Sequence, residues 1–190
     1  MSDQQFAATL AGLQDGDEHA IALLWRAHQP VLLRFLRSRH SPHDVDDIAS
    51  EVWLRASRNW HRFQGDEHDF RAWFFAIARA ASVDSYRRAG RRHDRLVAEV
   101  EPRVSERRAS AETAAFESFG TDRAIALLAS LPRDQGEAIA LRVIAGLDAE
   151  HVGRIMGKRP GTVRVLQHRG LRRLAELLDA ERVTAGDVTL

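Results

Sequence analysis

A segment near the C-terminal end of the chain combines positive charge with an apolar stripe in a pattern that suits a polyanion. Between His151 and Ala175 there is no aspartate or glutamate, although these types make up 27 of the 190 residues. Apolar residues recur there at helical spacing, so a helix would bury one face and expose the charges on the other. Guanidinium groups bind phosphate and can donate two hydrogen bonds to guanine. The segment holds seven bases: Arg154, Lys158, Arg159, Arg164, Arg169, Arg172 and Arg173.

The residues around the start of this segment predict two helices joined by a tight turn. Asp148 suits the N-cap of a helix that runs through Met156, and Gly157 can adopt the left-handed conformation that follows a helix end. Pro160 suits the first turn of the next helix. This is the spacing of a helix-turn-helix, whose second helix enters the major groove of DNA. A solvated basic helix without a ligand is the common alternative, but the turn residues and the exclusion of acids favour DNA binding.

A second basic patch lies between residues 71 and 95, where seven arginines accompany two aspartates. The formal net charge of the whole chain is +1, so the residues outside the two patches carry a net charge of −11. We therefore expect two separate contacts with a polyanion and an acidic surface that contacts something else. Helical spacing would also let Asp84 pair with Arg87 or Arg88 inside the patch.

Composition excludes several classes of protein. The chain has no cysteine, which excludes disulfides and cysteine-based zinc sites. It has neither a secretory signal pattern nor the roughly 20 consecutive apolar residues of a membrane helix, so we expect a cytoplasmic chain without direct membrane insertion. Of nine histidines, only His40 and His43 are close enough in sequence to resemble metal ligands, and further ligands at set spacing are lacking. We therefore predict no metal and no other cofactor.

Amphipathic helical spacing recurs along the chain, whereas sustained alternation typical of strands is lacking, so the predicted fold is all-α. Residues 96–120 mix charges, serine and alanine without a strong apolar stripe, which is typical of a linker. The sequence thus predicts two small helical domains. The predicted divisions are a first domain at 1–95, a linker at 96–120, a second domain at 121–178 and a polar, fraying tail at 179–190.

Three features of the first domain can be placed on helices. Pro30 interrupts a long apolar stripe and is expected to kink or break its helix. An acidic helix start follows, and that helix is expected to reach about Trp60. A further helix is predicted from Arg71 to Arg88, and its shared apolar stripe favours a core position for Trp73 and Phe74.

Four motifs lie in order along about residues 17 to 178: the acidic stretch at 44–54, the helix at 70–79 with Asp84, Arg87 and Arg88, Leu131-Pro132 with 140–147, and the turn and recognition helix with Gly157, 161–164, His168 and Arg169. In order and spacing they resemble the extracytoplasmic-function (ECF) class of bacterial RNA polymerase sigma factors. The chain departs from the family pattern at Gly153, where alanine is usual, and at His151, where glutamate is common.

This resemblance implies that the chain binds core RNA polymerase and promoter DNA, and that it directs promoter recognition and DNA opening without catalytic activity of its own. Polymerase binding is implied for Asp44, Asp46, Asp47, Glu51 and Arg55. Contact with the minus-ten element is implied for Arg71, Trp73, Arg79, Arg87, Arg88, Arg91 and Arg92, and the loop at 61–70 would hold a flipped base. Contact with the minus-thirty-five element is implied for Arg159, Thr162, Arg164, Val165, His168, Arg169, Arg172 and Arg173. Because family members are often silenced by an anti-sigma factor, we expect such a partner as well.

Two other functions compete with this interpretation. The first is a stand-alone helix-turn-helix transcriptional regulator whose N-terminal domain binds a ligand or partner; such a protein would bind DNA without polymerase. The second is an α-helical hydrolase that holds a metal between His40, His43, Asp46 and Asp47. A stoichiometric metal in the purified protein would favour this second alternative.

Overall fold

The computed structural model describes residues 3–97 and 119–186, and every regular element within these residues is helical, which confirms the predicted fold class. Most of the predicted linker lies outside the described residues. The elements are α1 (Asp3–Asp15), α2 (Glu18–Arg37), α3 (Pro42–Ser57), a 3-10 turn (Trp60–Arg62), α4 (Glu67–Val97), α5 (Phe119–Leu128), α6 (Arg133–Ile139), a π-helical turn (Ala140–Ile144), α7 (Ala149–Met156) and α8 (Pro160–Gly186).

The N-terminal half of the structure comprises α1 to α4, and the boundaries of its helices follow from local chemistry. Asp17 is the N-cap of α2, and its carboxylate accepts a hydrogen bond from the backbone N–H of His19 at 2.9 Å. The helix continues through Pro30 without a break. Ser41 precedes α3, and Pro42 occupies its first turn, where proline costs no hydrogen bond.

An aromatic core holds the N-terminal half together. Phe70, Phe74 and Phe75 of α4 are fully buried, and Phe6 of α1 packs on Phe70 with 5.5 Å between ring centroids. Trp73 is only partly buried, beside Phe70 at 5.2 Å. The rings meet at tilted or edge-on angles, which aromatic pairs prefer. The expectation that Phe74 belongs to the core is therefore confirmed, whereas Trp73 lies at the core's edge.

The C-terminal half comprises α5 to α8, and in it α8 packs closely on α6. Leu128, Leu131 and Ile139 form a small buried cluster, against which Leu174 and Leu177 of α8 pack. Gly170 permits this approach, because a Cβ atom there would lie 2.7 Å from Cδ1 of Ile139. Helix α8 then continues to Gly186, so the predicted fraying tail is helical over most of its length.

The two halves also pack against each other. Their buried residues form one larger cluster, in which Leu141 and Val152 of the C-terminal half join the aromatic core of the N-terminal half. Glu137 is buried, and it forms ion pairs with Arg39, at 3.8 Å, and with Arg79. Within the described ranges, no helix is both long and apolar enough to cross a membrane.

His28 makes the core sensitive to acid. Its ring packs edge-on against Phe70 and Phe74, and its Nε2 atom is buried without a hydrogen-bond partner. Burial, with a smaller effect of the nearby Arg71 guanidinium, lowers the pKa of His28 to about 4. Between pH 6.5 and 4 the unfolded chain therefore takes up a proton at this position that the folded chain excludes. This difference in proton uptake lowers the free energy of unfolding as the pH falls.

Replacing His28 by phenylalanine should make the protein less sensitive to acid. The free energies of unfolding of the wild type and of His28→Phe should diverge as the pH falls from 6.5 to 4, in favour of the variant, by up to about 3 kcal/mol. Urea denaturation across this pH range measures the difference. The exposed His19 provides the control, since His19→Gln should follow the wild type. Parallel curves for wild type and His28→Phe would contradict the prediction.

Candidate nucleic-acid interface

The helix-turn-helix forms through the residues that the sequence indicated. A carboxylate oxygen of Asp148 accepts a hydrogen bond from the backbone N–H of His151 at 2.7 Å and caps α7. Gly157 follows α7 with φ 67° and ψ 36°, in the left-handed region, and α8 begins at Pro160. Gly153 lets the two helices approach closely, because a Cβ atom there would lie 2.7 Å from the carbonyl oxygen of Lys158. The departure from alanine at this position therefore has a steric reason.

One face of α8 is turned inward and the opposite face is open. Val163 and Gly170 are buried, and Leu166 and Leu174 are partly buried on the same side. At about 100° per residue, the predicted minus-thirty-five residues of α8 fall on the remaining half of the helix. All eight predicted residues of this group are exposed: Arg159, Thr162, Arg164, Val165, His168, Arg169, Arg172 and Arg173. We call them the α8 face.

Two bases of the α8 face have acidic partners that water can reach. Arg164 lies 3.0 Å from Glu150, and Arg172 lies 3.4 Å from Glu176; all four side chains are more than half exposed. Exposed ion pairs of this kind contribute about 1 kcal/mol or less. Both guanidinium groups can therefore exchange these partners for phosphate or a base at little cost.

Only some of the residues predicted to contact the minus-ten element have exposed side chains. Arg87 and Arg88 are exposed on α4. Arg79 is ion-paired with the buried Glu137 of the C-terminal half. Arg71 is ion-paired with Glu67 at 2.5 Å. Its Nη1 atom lies 3.1 Å from the position that a Cβ of Gly146 would occupy. The side chains of Arg91 and Arg92 lie outside those that the structure describes. Arg71 and Arg79 are thus engaged where the two halves meet.

An acidic surface lies at the start of α3. Asp44, Asp46 and Asp47 are exposed, and the Ser41 hydroxyl donates a hydrogen bond to Asp44 at 2.6 Å. We call these three carboxylates the α3 acidic patch. Because they stand near the helix N-terminus, their charge is compatible with the helix dipole.

The other two predicted polymerase-binding residues are paired with each other. Arg55 donates hydrogen bonds to Glu51 at 2.7 Å and to Asp84 of α4 at 3.0 Å. Asp84 therefore pairs across helices rather than with Arg87 or Arg88, because the packing of α3 on α4 brings the Arg55 guanidinium to it. Spacing along the sequence could not predict this contact between two helices.

The histidines that sequence proximity singled out do not form a metal cluster in the described part of the chain. His40 lies 2.5 Å from the Ser82 hydroxyl through Nε2, and its ring stacks on Tyr86. Burial, and then the Arg39 charge, lower the pKa of His40 to about 4. His43 is exposed. The metal-dependent hydrolase therefore has no assembled site around these two histidines.

A different group of side chains converges where α4 meets α7, and sequence reasoning missed it. His68, Asp148 and His151 place one potential ligand atom each within 4.8 Å of one another. Burial tends to raise the pKa of Asp148, but hydrogen bonds from His151 and His68 outweigh that effect and hold its pKa below the ordinary value. About 80 residues separate His68 from the other two, so no local spacing could reveal the group.

Comparisons with known proteins agree with this architecture. Residues 24–92 match the family Sigma-70 region 2, and residues 121–174 match Sigma-70, region 4. Two solved structures share the fold at 24% identity. The complex of CnrH with the cytosolic domain of CnrY has a TM-score of 0.65 and covers 92% of this chain and 97% of the matched chain. The sigma factor RpoE with the anti-sigma factor NepR, from Bartonella quintana, has a TM-score of 0.61 and covers 82% and 96%.

Sequence relatives give the family directly. The ECF RNA polymerase sigma factor SigD of Mycobacterium tuberculosis (strain H37Rv) is 34% identical over 98% of this chain and 88% of its own length. The ECF RNA polymerase sigma factor ShbA of Streptomyces griseus is 36% identical over 87% of this chain and 91% of its own. With both sigma regions matched and full-length relatives at this level of identity, the chain belongs to the ECF class of RNA polymerase sigma factors.

Proposed function

We propose that this chain binds core RNA polymerase, reads the minus-thirty-five element of promoters with the α8 face, and directs DNA opening at the minus-ten element. The observation that carries the proposal is the α8 face itself, an exposed surface on a helix-turn-helix scaffold with four arginines on α8 and Arg159 just before it. In this role the chain works as a cytoplasmic transcription initiation factor. Nucleotide chemistry belongs to the polymerase, so the chain needs no catalytic residue of its own.

The α8 face offers different chemistry along its length. Arg164, Val165 and His168 lie near the N-terminal end of α8, the part of a recognition helix that meets base edges in the major groove. A guanidinium can hold guanine, and the 48%-exposed side chain of Val165 suits contact with a thymine methyl group. Arg172 and Arg173 lie further along the helix, where phosphate contacts set its position on the duplex.

The α3 acidic patch is suited to a protein partner rather than to DNA. Three exposed carboxylates would repel phosphate, whereas a basic surface on core polymerase would attract them and steer the encounter. We therefore assign polymerase docking to this patch, with the Glu51–Arg55 pair at its edge. DNA contacts are assigned to the two arginine-rich surfaces. An anti-sigma factor is a further expected partner, since the matched structure of RpoE holds the anti-sigma factor NepR.

Promoter binding requires the two halves to separate from the packed arrangement. Elements centred near positions −10 and −35 are about 25 base pairs apart, which at about 3.4 Å per base pair is roughly 85 Å. In the structure α4 packs directly on α7, and Arg79 is engaged with Glu137. Both DNA-facing surfaces can act together only after this contact opens. The packed structure thus represents a closed arrangement of the chain.

Charge reversal on the α8 face should abolish promoter choice while polymerase binding persists. In Arg164→Glu/Arg169→Glu, two contacts worth about 1–3 kcal/mol each are lost, so run-off transcription from a cognate promoter should fall about 30-fold or more. The cognate promoter for the template would be identified by sequencing the transcripts that the wild-type holoenzyme makes from host DNA. Arg26→Glu/Arg34→Glu, an equal charge change at exposed positions of α2, is the matched control. Unchanged transcription by the α8 variant would refute this assignment.

Neutralising the α3 acidic patch should weaken binding to core polymerase. In Asp46→Asn/Asp47→Asn, the loss of electrostatic attraction should raise the Kd for core enzyme about tenfold at low salt, with a smaller effect at high salt. Fluorescence anisotropy of the labelled full chain titrated with core enzyme measures this difference. The exposed acids of the α1–α2 turn supply the control, Asp15→Asn/Glu18→Gln. Equal affinities for the two double variants would place the docking surface elsewhere.

A further inference from the structure

Two histidines and one aspartate meet across the contact between the two halves. His68 lies in the first turn of α4, whereas Asp148 caps α7 and His151 lies within it. One carboxylate oxygen of Asp148, Oδ2, lies 3.0 Å from Nε2 of His68 and 2.8 Å from Nδ1 of His151. The two imidazole rings meet edge to face, with 4.6 Å between their centroids. Three potential ligand atoms thus point at one small volume.

We propose that His68, Asp148 and His151 bind a divalent transition-metal ion of the zinc type that joins the two halves of the chain. Two imidazole nitrogens and a carboxylate oxygen form a common zinc ligand set, with water in the fourth position. Ligands about 2.0–2.2 Å from a tetrahedral metal lie about 3.4 Å from one another. The two observed distances from Oδ2 would lengthen by about half an ångström to reach that value, and all three ligand atoms already lie within 4.8 Å of one another.

Hydrogen bonds to neighbouring groups already orient the side chains of the proposed ligands. The other oxygen of Asp148 accepts the backbone N–H of His151, so Oδ2 is held toward the imidazoles. Nε2 of His151 lies 3.4 Å from a carboxylate oxygen of Asp69. With Nδ1 on a metal, the ring N–H at Nε2 would face this carboxylate, which is the usual outer partner of a metal-bound histidine. Four residues thus fit the inner and outer parts of one site.

Access to the site is compatible with a metal that keeps a water molecule. The His151 side chain is 12% exposed, whereas His68 and Asp148 are 42% and 43% exposed. An ion can therefore enter from solvent, and a water molecule can complete the coordination sphere. The chain has no cysteine, so nitrogen and oxygen donors are the ones it can offer.

A metal at this position would favour the closed arrangement. His68 belongs to the N-terminal half and the other two ligands to the C-terminal half, so all three can bind one ion only while α4 and α7 are in contact. A ligand that binds one arrangement better shifts the equilibrium toward it. This consequence rests on the proposed function, because promoter binding is what requires the halves to separate. Binding of the metal itself does not depend on that function.

The site is tested by titrating the full chain, freed of metal, with Co²⁺ and then displacing it with Zn²⁺. We expect one Co²⁺ per chain, with visible absorption of a four-coordinate ion, and stoichiometric displacement by Zn²⁺. His68→Gln and His151→Gln should each weaken binding about 100-fold or more, and Asp69→Asn about tenfold as an outer partner. Asp148→Asn removes the charged ligand and keeps a good N-cap, so the fold should persist. No binding, or equal binding by all these variants, would overturn the proposal.

A control variant and two further measurements distinguish metal binding at this site from nonspecific binding and from misfolding of a variant. His19→Gln removes an exposed histidine of α2 and should bind metal like the wild type. X-ray absorption of the Zn²⁺-loaded wild type should show two imidazole ligands with nitrogen and oxygen donors only; a spectrum without imidazole would overturn the site even if a variant failed to fold. Small-angle scattering should show a more compact chain with Zn²⁺ for the wild type but not for His68→Gln. Binding without this compaction would overturn the joining role.

Discussion

The packing of α8 against α6 and α7 is the constraint on which the α8 face depends. Gly170 and Gly153 remove the Cβ atoms that would hold the helices apart, and Val163 is fully buried on the inward side of α8. Once that side of α8 is buried, every arginine on the opposite side must face water. A charged surface of this shape therefore results from close packing on its other side, rather than from interactions among the arginines, which repel one another.

The contact between the two halves has a different physical character. One polar part of it is a buried carboxylate, Glu137, held between Arg39 and Arg79, and a buried charge is tolerated only while it is paired. Opening the contact would return Glu137 and Arg79 to water together, so each is solvated when the pair separates. Such an interface can open without leaving a charge stranded in an apolar interior. This reversibility is what a chain with a closed and a promoter-binding arrangement requires.

Under the proposed function, a single arginine of this contact would serve in two arrangements. Arg79 belongs to the motif that resembles the family's minus-ten helix, and in the structure it pairs with Glu137 of the other half. A guanidinium that binds a carboxylate in the closed arrangement is available for phosphate once the halves separate, because both partners offer anionic oxygens. The closed arrangement thus covers part of the surface proposed to bind DNA. The α8 face, in contrast, stays exposed.

The all-α fold and the helix-turn-helix were predictable from the sequence, because caps, turn glycines and apolar periodicity act over a few residues, and the resemblance of four ordered motifs indicated the family. Asp148, Gly157 and Pro160 were placed correctly for that reason, as was the outward face of α8. Which distant residues meet depends on how the helices pack. Asp84 pairs with Arg55, Arg79 with Glu137, and His68 lies beside His151, because helix packing joins residues separated by tens of positions. Local spacing carries no information about such contacts.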